Sequence, residues 1–520
     1  LSAKPLARSG PEMTVTVFTQ LYDQAAPFCL IDCRERRDYV HGHWFGSTNI
    51  PLSILPTRLP FLCPDFGFPI HYLDWGDTAS TVALASMRDM GYQKITTHKT
   101  AAPTEPMTGF VQGEYVWSKA FGEIVSHLPG ILEVTPQQYL ADHPDAQLVD
   151  VRPAGEYNRF TLPGSKNLPN SLLLANMDAL RRHDTTVLLH CAGRTRSIIG
   201  AHTLQAAGYE GDFAIFRGGT QAWELDGFTR EHGATHNIAA PTESIESVAN
   251  FLDRWQIRAT TIRSADLDAF IGSHRDHLLF DVSDDAANGD LLAQRVIKIS
   301  GTNLVQQTDR SIARYHVPII LFDTASGCRA AFAAYWLSRM GFAVEIAIIA
   351  ADSFAAAPQH PTDPISAKEN PIPKWLASGT HILDFRLSKD YATAHIATSK
   401  WENITTILDK QPAHQPVGII AACAATGNMI ADILTRNGWQ IDAIAVWADH
   451  AIEANLQSSA TSISDTGDSP IDQSALFAGR HFGVLKDAQD YLDWEEDLPG
   501  LIPATIKTIW QDRLQPKTND

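Results

Sequence analysis

The sequence predicts an α/β protein made of four tandem copies of one domain, each a mostly parallel sheet flanked by helices. Three observations predict it. Short, nearly unbroken apolar strands alternate with helical stretches, which is the pattern of a parallel sheet buried on both faces. One order of landmarks recurs four times along the chain, as expected of an internal repeat. Each copy ends its second helix on a glycine followed by an aromatic residue, and glycine just past a helix suits the left-handed position there.

The landmarks are clearest in the second copy. A strand, Gln147-Leu148-Val149-Asp150-Val151-Arg152, is followed by Glu156-Tyr157 and by Leu162-Pro163-Gly164-Ser165-Lys166-Asn167-Leu168-Pro169. A second strand, Thr186-Val187-Leu188-Leu189-His190, runs into a short loop, and the helix after it stops at Gly208-Tyr209. The first copy has Leu30-Ile31-Asp32-Cys33-Arg34, then Gly46-Ser47-Thr48-Asn49-Ile50-Pro51, and stops at Gly91-Tyr92. The third has Leu279-Phe280-Asp281, the strand Pro318-Ile319-Ile320-Leu321-Phe322, and Gly341-Phe342. The fourth has Ile382-Leu383-Asp384-Phe385-Arg386, Val417-Gly418-Ile419-Ile420, and Gly438-Trp439. Domains are therefore expected at 13–100, 113–232, 256–352 and 372–452, with a tail at 474–520 that carries Trp494 and Trp510 and docks on a domain. The Pro-, Ala-, Ser- and Thr-rich stretches 97–107, 234–243 and 355–373 are expected to be linkers, and the polar stretch 457–473 to be flexible. Leu1 to Glu12 are left out of the fold, with Met13 taken as the start.

Composition narrows the function classes. The chain has 520 residues, 44% hydrophobic and 19% charged, with a formal charge of −18. That balance argues against nucleic acid or an anionic membrane as the main partner. No apolar run reaches the roughly 18 residues of a membrane span. The six cysteines are too few for a disulfide framework, so a reducing, cytoplasmic setting is expected. Cys29 and Cys33 lie four apart with no matching pair at zinc-site spacing, so no metal is expected.

The chemistry is expected in the loop His190-Cys191-Ala192-Gly193-Arg194-Thr195-Arg196-Ser197. Ligands of open α/β sheets bind beyond the carboxyl ends of the strands, and Cys191 follows a strand directly. Gly193 is expected to let the backbone curl, so that the amides of 192–197 face inward as an anion cradle. The helix dipole and the charges of Arg194 and Arg196 also favour thiolate over thiol. Asp150 and Glu156 are expected to fix loops and arginines by charged hydrogen bonds, and Arg152 to join an ion pair or line the pocket mouth. His190 is expected to point into the sheet or a turn.

On these residues the second domain resembles the rhodanese (sulfurtransferase) family. The resemblance is carried by Asp150-x-Arg152, Glu156-Tyr157, Pro163-Gly164-x-x-Asn167-x-Pro169, the Cys191-x-Gly193-x-x-Arg196 loop, and Arg217-Gly218-Gly219-x-x-x-Trp223 with Gly227. It runs from Glu133 to Phe228, and a weaker likeness covers the other copies. It implies four tandem rhodanese-like domains, each a mostly parallel five-stranded sheet. It also implies thiosulfate sulfurtransferase activity: Cys191 takes sulfane sulfur from a donor such as thiosulfate, holds a persulfide, and passes it to cyanide or a thiol. Ala192, Gly193, Arg194, Thr195, Arg196 and Ser197 would bind the anion, with Asp150, Arg152 and Glu156 in support. The expected partners are a small sulfur-containing anion and a thiol acceptor, which could be a protein thiol. No organic cofactor is implied. A relay between proteins and a binding scaffold remain alternatives. Phosphatase chemistry is another, although related phosphatase loops place five residues between Cys and Arg and this loop has four.

Counting back 17 positions from each helix-stop glycine, the distance from Cys191 to Gly208, reaches Asp74, Thr324 and Ala421. None is cysteine, so the other three copies are expected to be inactive. Cys63, Cys328 and Cys423 are expected to be inert, with a second sulfur-relay role open for Cys328 and Cys423.

Overall fold

The structure is a computed structural model, and it describes residues 12–181, 185–238, 244–283, 295–324, 326–350, 371–447, 456–457, 469–474 and 476–515. The chain divides into two compact units. One is built from 1–106, 112–114 and 360–476, the other from 107–111, 115–359 and 477–520.

The second unit holds two five-stranded sheets. The first of these has the order Glu133–Val134, Phe213–Phe216, Val187–His190, Gln147–Asp150, Lys166–Asn167, with every pairing parallel. Its central strand Val187–His190 is buried along its whole length, which explains its lack of polar alternation. On one face Leu148, Leu188, Ala214, Phe216 and Trp223 form the core. The other sheet has the order Ala259–Ile262, Val344–Ile349, Ile319–Thr324, Leu278–Asp281, Ile297–Lys298, again all parallel. The two sheets' helices meet within this unit, where Trp336 donates to the Thr203 hydroxyl at 2.8 Å.

The first unit holds the remaining two parallel sheets. One has the order Thr48–Asn49, Phe28–Asp32, Ile70–Asp74, Ile95–Lys99 within the unit. The other has the order Ser399–Trp401, His381–Asp384, Val417–Ala421, Ile441–Val446. Each has four strands of its own where five were expected. In the first, the outer strand shrinks to one bridge between Glu12 and Lys99, because a helix already begins at Val15. In the last, the preceding residues 351–370 lie outside the described ones.

The repeat register holds at the strand ends. Asp74, Thr324 and Ala421 each close a strand, and helices begin at Thr78, Cys328 and Ala424. The helix after Cys191 begins at Thr195, so the strand-to-helix step matches to within one residue. Gly91, Gly208, Gly341 and Gly438 all take positive φ.

Two linker expectations need correction. Residues 97–99 continue the strand Ile95–Lys99, paired from Ile70 to Asp74, because the β-branched run Ile95-Thr96-Thr97 fits a pleated surface. Residues 236–238 run beside Asn167, whose amide donates to the His236 carbonyl at 2.8 Å. The expected linker 355–373 lies outside the described residues up to 370, and a helix begins at Ile372. Most of 457–473 also lies outside them.

The tail does dock, within the second unit. It forms helices Leu485–Leu501 and Ala504–Leu514. Trp510 is fully buried, packs edge-on against Trp117 and Phe121 with centroids 5.3 Å away, and donates to the Met340 carbonyl at 3.1 Å.

Candidate active site

The parallel strand Val187–His190 delivers Cys191 to its carboxyl end, and the helix Thr195–Ala207 leaves four residues later. The Cys191 carbonyl accepts from the Thr220 amide at 3.0 Å and the Ala192 carbonyl from Gln221 at 3.1 Å. This clamps the loop against the Arg217-Gly218-Gly219 turn. Gly219 has φ +53°, and a Cβ there would sit 2.2 Å from the Cys191 carbonyl oxygen. Gly219→Ala therefore adds left-handed strain to a backbone clash, at a cost of about 2–4 kcal/mol. Faster hydrogen exchange in Val187–His190 is the expected readout.

Gly193 lies in the bend between the strand and the helix, and it serves a second purpose as well. It is not among the glycines with positive φ. A Cβ on it would meet Glu495 Oε2 and Tyr491 Cε1, each at 2.8 Å. Its missing side chain makes room for the tail helix.

The Cys191 thiol is 2% exposed, with Ser197 Oγ 3.8 Å from its sulfur. Arg196 and Tyr491 lie within electrostatic range of it. Arg196 is braced by Glu156 at 2.7 Å, and its carbonyl accepts from Asn170 at 2.8 Å. Burial works against the Arg196 charge, but Glu156 and Cys191 outweigh it and hold the guanidinium firmly protonated. Arg194 points elsewhere. Its guanidinium makes a two-pronged pair with Glu123, at 2.9 and 3.0 Å, and also meets Glu133 and Glu496. What Arg194 offers the loop is its amide.

The tail contributes a group that no local pattern announces. The Glu495 carboxylate is buried on the loop. It accepts from the Arg194 amide at 3.3 Å, Thr195 Oγ1 at 2.9 Å, Lys119 Nζ at 2.8 Å and Tyr491 Oη at 2.8 Å. Lys119 also donates to Tyr491. Burial pushes the Glu495 carboxyl up, but Lys119 and the two hydroxyls outweigh it and keep it ionised. Lys119 and Glu123 share one face of the buried helix Val116–Ser126. Two charges four apart in an otherwise apolar helix were the one available sequence signal.

The supporting residues sit beneath the loop rather than in it. Asp150 and Arg152 are fully buried and paired through Nη2 at 2.6 Å and Nε at 2.9 Å. Asp150 also accepts from Thr161 Oγ1 at 2.8 Å, and Asn167 donates to the Asp150 and Arg152 carbonyls. His190 is fully buried, with Nε2 2.8 Å from Ser165 Oγ.

The other cysteines singled out in the sequence lie outside this loop. Cys328 is fully buried and donates to the Ser171 carbonyl at 3.1 Å. Cys423 precedes a helix, 3.4 Å from Thr426 Oγ1, and Cys63 is fully buried. Among the described residues, no group of three or more His, Cys, Asp or Glu side chains is placed to hold a metal ion, and no helix is long and apolar enough to cross a membrane.

Residues 135–226 match the Rhodanese family, described as a rhodanese-like domain. A 90-residue stretch is 31% identical to the uncharacterised protein YqhL of Bacillus subtilis strain 168, covering 17% of this chain and 70% of that protein. The chain belongs to the rhodanese-like family. The whole fold is shared with a thiosulfate sulfurtransferase from Pseudomonas aeruginosa, at a TM-score of 0.79 and 24% identity over 96% of this chain and 98% of that one.

The rhodanese-like domain should lose stability in acid in two stages. Burial pulls the His190 ring down to about 4, against the opposing pull of Asp150, whereas an unfolded histidine titrates near 6.5. The unfolded chain therefore binds the proton first. The stability linked to neutral His190, about 3 kcal/mol, is present above roughly pH 6.5 and drains as pH falls toward 4. Asp150 acts lower. Burial pushes it up, but Arg152 and His190 outweigh that and hold it at about 2, so its contribution is lost only below about pH 3.8. His190→Gln should flatten the loss of hydrogen-exchange protection in Val187–His190, taken relative to intrinsic rates, between pH 6.5 and 4.5. An unchanged slope would contradict this.

Proposed function

We propose that the protein is a sulfurtransferase that carries sulfane sulfur on Cys191. The observation that carries this reading is the Cys191 thiol at the carboxyl end of a central parallel strand, beside Arg196, on a loop that feeds directly into a helix N-terminus. Such a loop concentrates positive potential where an anionic donor and an anionic persulfide must sit.

With thiosulfate as donor, the Cys191 thiolate attacks the outer sulfur. A new S–S bond forms to Cys191, the S–S bond to the sulfonate breaks, and sulfite leaves with the bonding pair. The persulfide anion remains on the enzyme, and charge balances. Cyanide then attacks the outer sulfur, thiocyanate departs, and the Cys191 thiolate returns. A thiol acceptor would leave as a persulfide by the same displacement. No external oxidant or reductant enters either half.

The amides of residues 192–197, Arg194 among them, supply the cradle in this reading, with the guanidinium of Arg196 as its fixed charge. Asp150, Arg152 and Glu156 hold the loop in place. With Cys191 only 2% exposed, a small acceptor fits the closed site better than a protein thiol. The other three copies, with Asp74, Thr324 and Ala421 at the matching strand ends, act as structure in this reading.

Steady-state thiocyanate formation at varied thiosulfate and cyanide tests it. Parallel double-reciprocal lines are expected, because the donor product leaves before the acceptor binds. Intersecting lines, or hydrolysis of a phosphate ester with no sulfur transfer, would count against it.

A further inference from the structure

Cys191 lies at the sheet's open end, yet it is almost fully covered. The tail helix Leu485–Leu501 lies on the same loop, pressed onto Gly193 through Tyr491 and Glu495, with Tyr491 in electrostatic range of the thiol. The Glu495 carboxylate is 1% exposed. Two of its four hydrogen-bond donors, the Arg194 amide and the Thr195 hydroxyl, belong to the Cys191 loop itself. A third, Lys119, is the ammonium that faces this loop from the helix Val116–Ser126. The carboxylate thus holds groups that an anion arriving at the thiol would need. Arg194 cannot substitute with its side chain, because Glu123 already claims it bidentately. Beside the contact, a cavity of about 280 Å³ opens between the tail helix and the turn, lined by Arg194, Arg217, Gly218, Leu492 and Glu496 among others.

We propose that Glu495 is the specificity-determining residue of the Cys191 site: its carboxylate holds the loop's donors against an incoming anion, which must displace it to bind there, whereas a neutral reagent does not compete for them. The proposal rests on the sulfur-transfer reading only for the identity of that anion. Displacement breaks several charge-assisted hydrogen bonds, and an anion regains them by taking the same donors. A neutral reagent regains none. The tail helix is therefore the element that a bound anion loosens.

The test uses the full chain and two alkylating probes of similar size, anionic iodoacetate and neutral iodoacetamide. Their rates at Cys191 are read by mass spectrometry of the Cys191 peptide. Glu495→Gln keeps the size and an acceptor oxygen and removes the competing charge. The ratio of iodoacetate to iodoacetamide rates is expected to rise at least about tenfold over wild type, given the strength of a unit charge at such short range. A ratio within about twofold of wild type overturns the proposal, since a purely structural helix contact would change both rates alike.

Should the variant fold poorly, wild-type hydrogen exchange gives an independent reading. Added sulfate at constant ionic strength is expected to speed exchange across Leu485–Leu501, and unchanged exchange there overturns the proposal. Neither measurement needs sulfur transfer. A raised ratio in a protein that never forms a persulfide supports Glu495's role and refutes the functional reading. A persulfide with an unchanged ratio does the reverse.

Discussion

A protein carrying Cys191→Ser is expected to lose thiocyanate formation by at least about a thousandfold, with its melting temperature close to wild type. The serine oxygen would stand where the sulfur stands, 3.8 Å from Ser197 Oγ. It is smaller than sulfur, so nothing around it is displaced. The hydroxyl keeps its proton, however, because it is a far weaker acid than a thiol. Two ionisable groups around the loop are committed elsewhere: His190 faces Ser165 and Glu495 is ringed by donors. Residual turnover within about tenfold of wild type would mean that another thiol does the chemistry. Cys423, half-buried at a helix start, would then be the first to replace.

Asp150→Ala should have the largest effect on stability. It leaves the Arg152 guanidinium fully buried without its carboxylate. Removing one partner of such a pair costs about 3–5 kcal/mol. The Thr161 hydroxyl also loses its acceptor. Because the chain holds several sheets, a single unfolding midpoint would mix their contributions. Hydrogen exchange resolves them: amides of Gln147–Asp150 and Val187–His190 should exchange faster by about two to three orders of magnitude, with the sheet that contains His381–Asp384 unchanged. The double variant Asp150→Ala/Arg152→Met should recover part of the loss, since it removes the orphaned charge. A single variant as protected as wild type would contradict the role assigned to this pair.

The fold class was legible because the strands are buried on both faces. Val187–His190 and Leu278–Asp281 read as unbroken apolar runs for that reason. The helix-stop glycines worked as a ruler because a left-handed residue fixes the helix end. The strand edges were harder. In the sheet built on Phe28–Asp32, the outer strand expected beside Ile95–Lys99 is a single residue pair, Glu12 with Lys99.

At the site, Cys191 and its loop were legible from local order along the chain. The structure gave two of its residues other tasks. Gly193, within the bend, also spares room for the tail, and the Arg194 guanidinium serves Glu123. Glu495 was invisible for a plain reason. It lies 301 residues from the Arg194 amide it contacts, and an acidic residue in a charged helix carries no sign of its burial. Lys119 and Glu123 gave a faint sign, as charges on a helix otherwise built for a core.

The central claim is that Cys191 carries sulfur. The most direct measurement is intact mass after brief incubation with thiosulfate, on wild type and Cys191→Ser. The expected result is a gain of about 32 Da in wild type, the mass of one sulfur atom, lost on adding cyanide and absent in the variant. No gain in wild type, or an equal gain in both proteins, would contradict it.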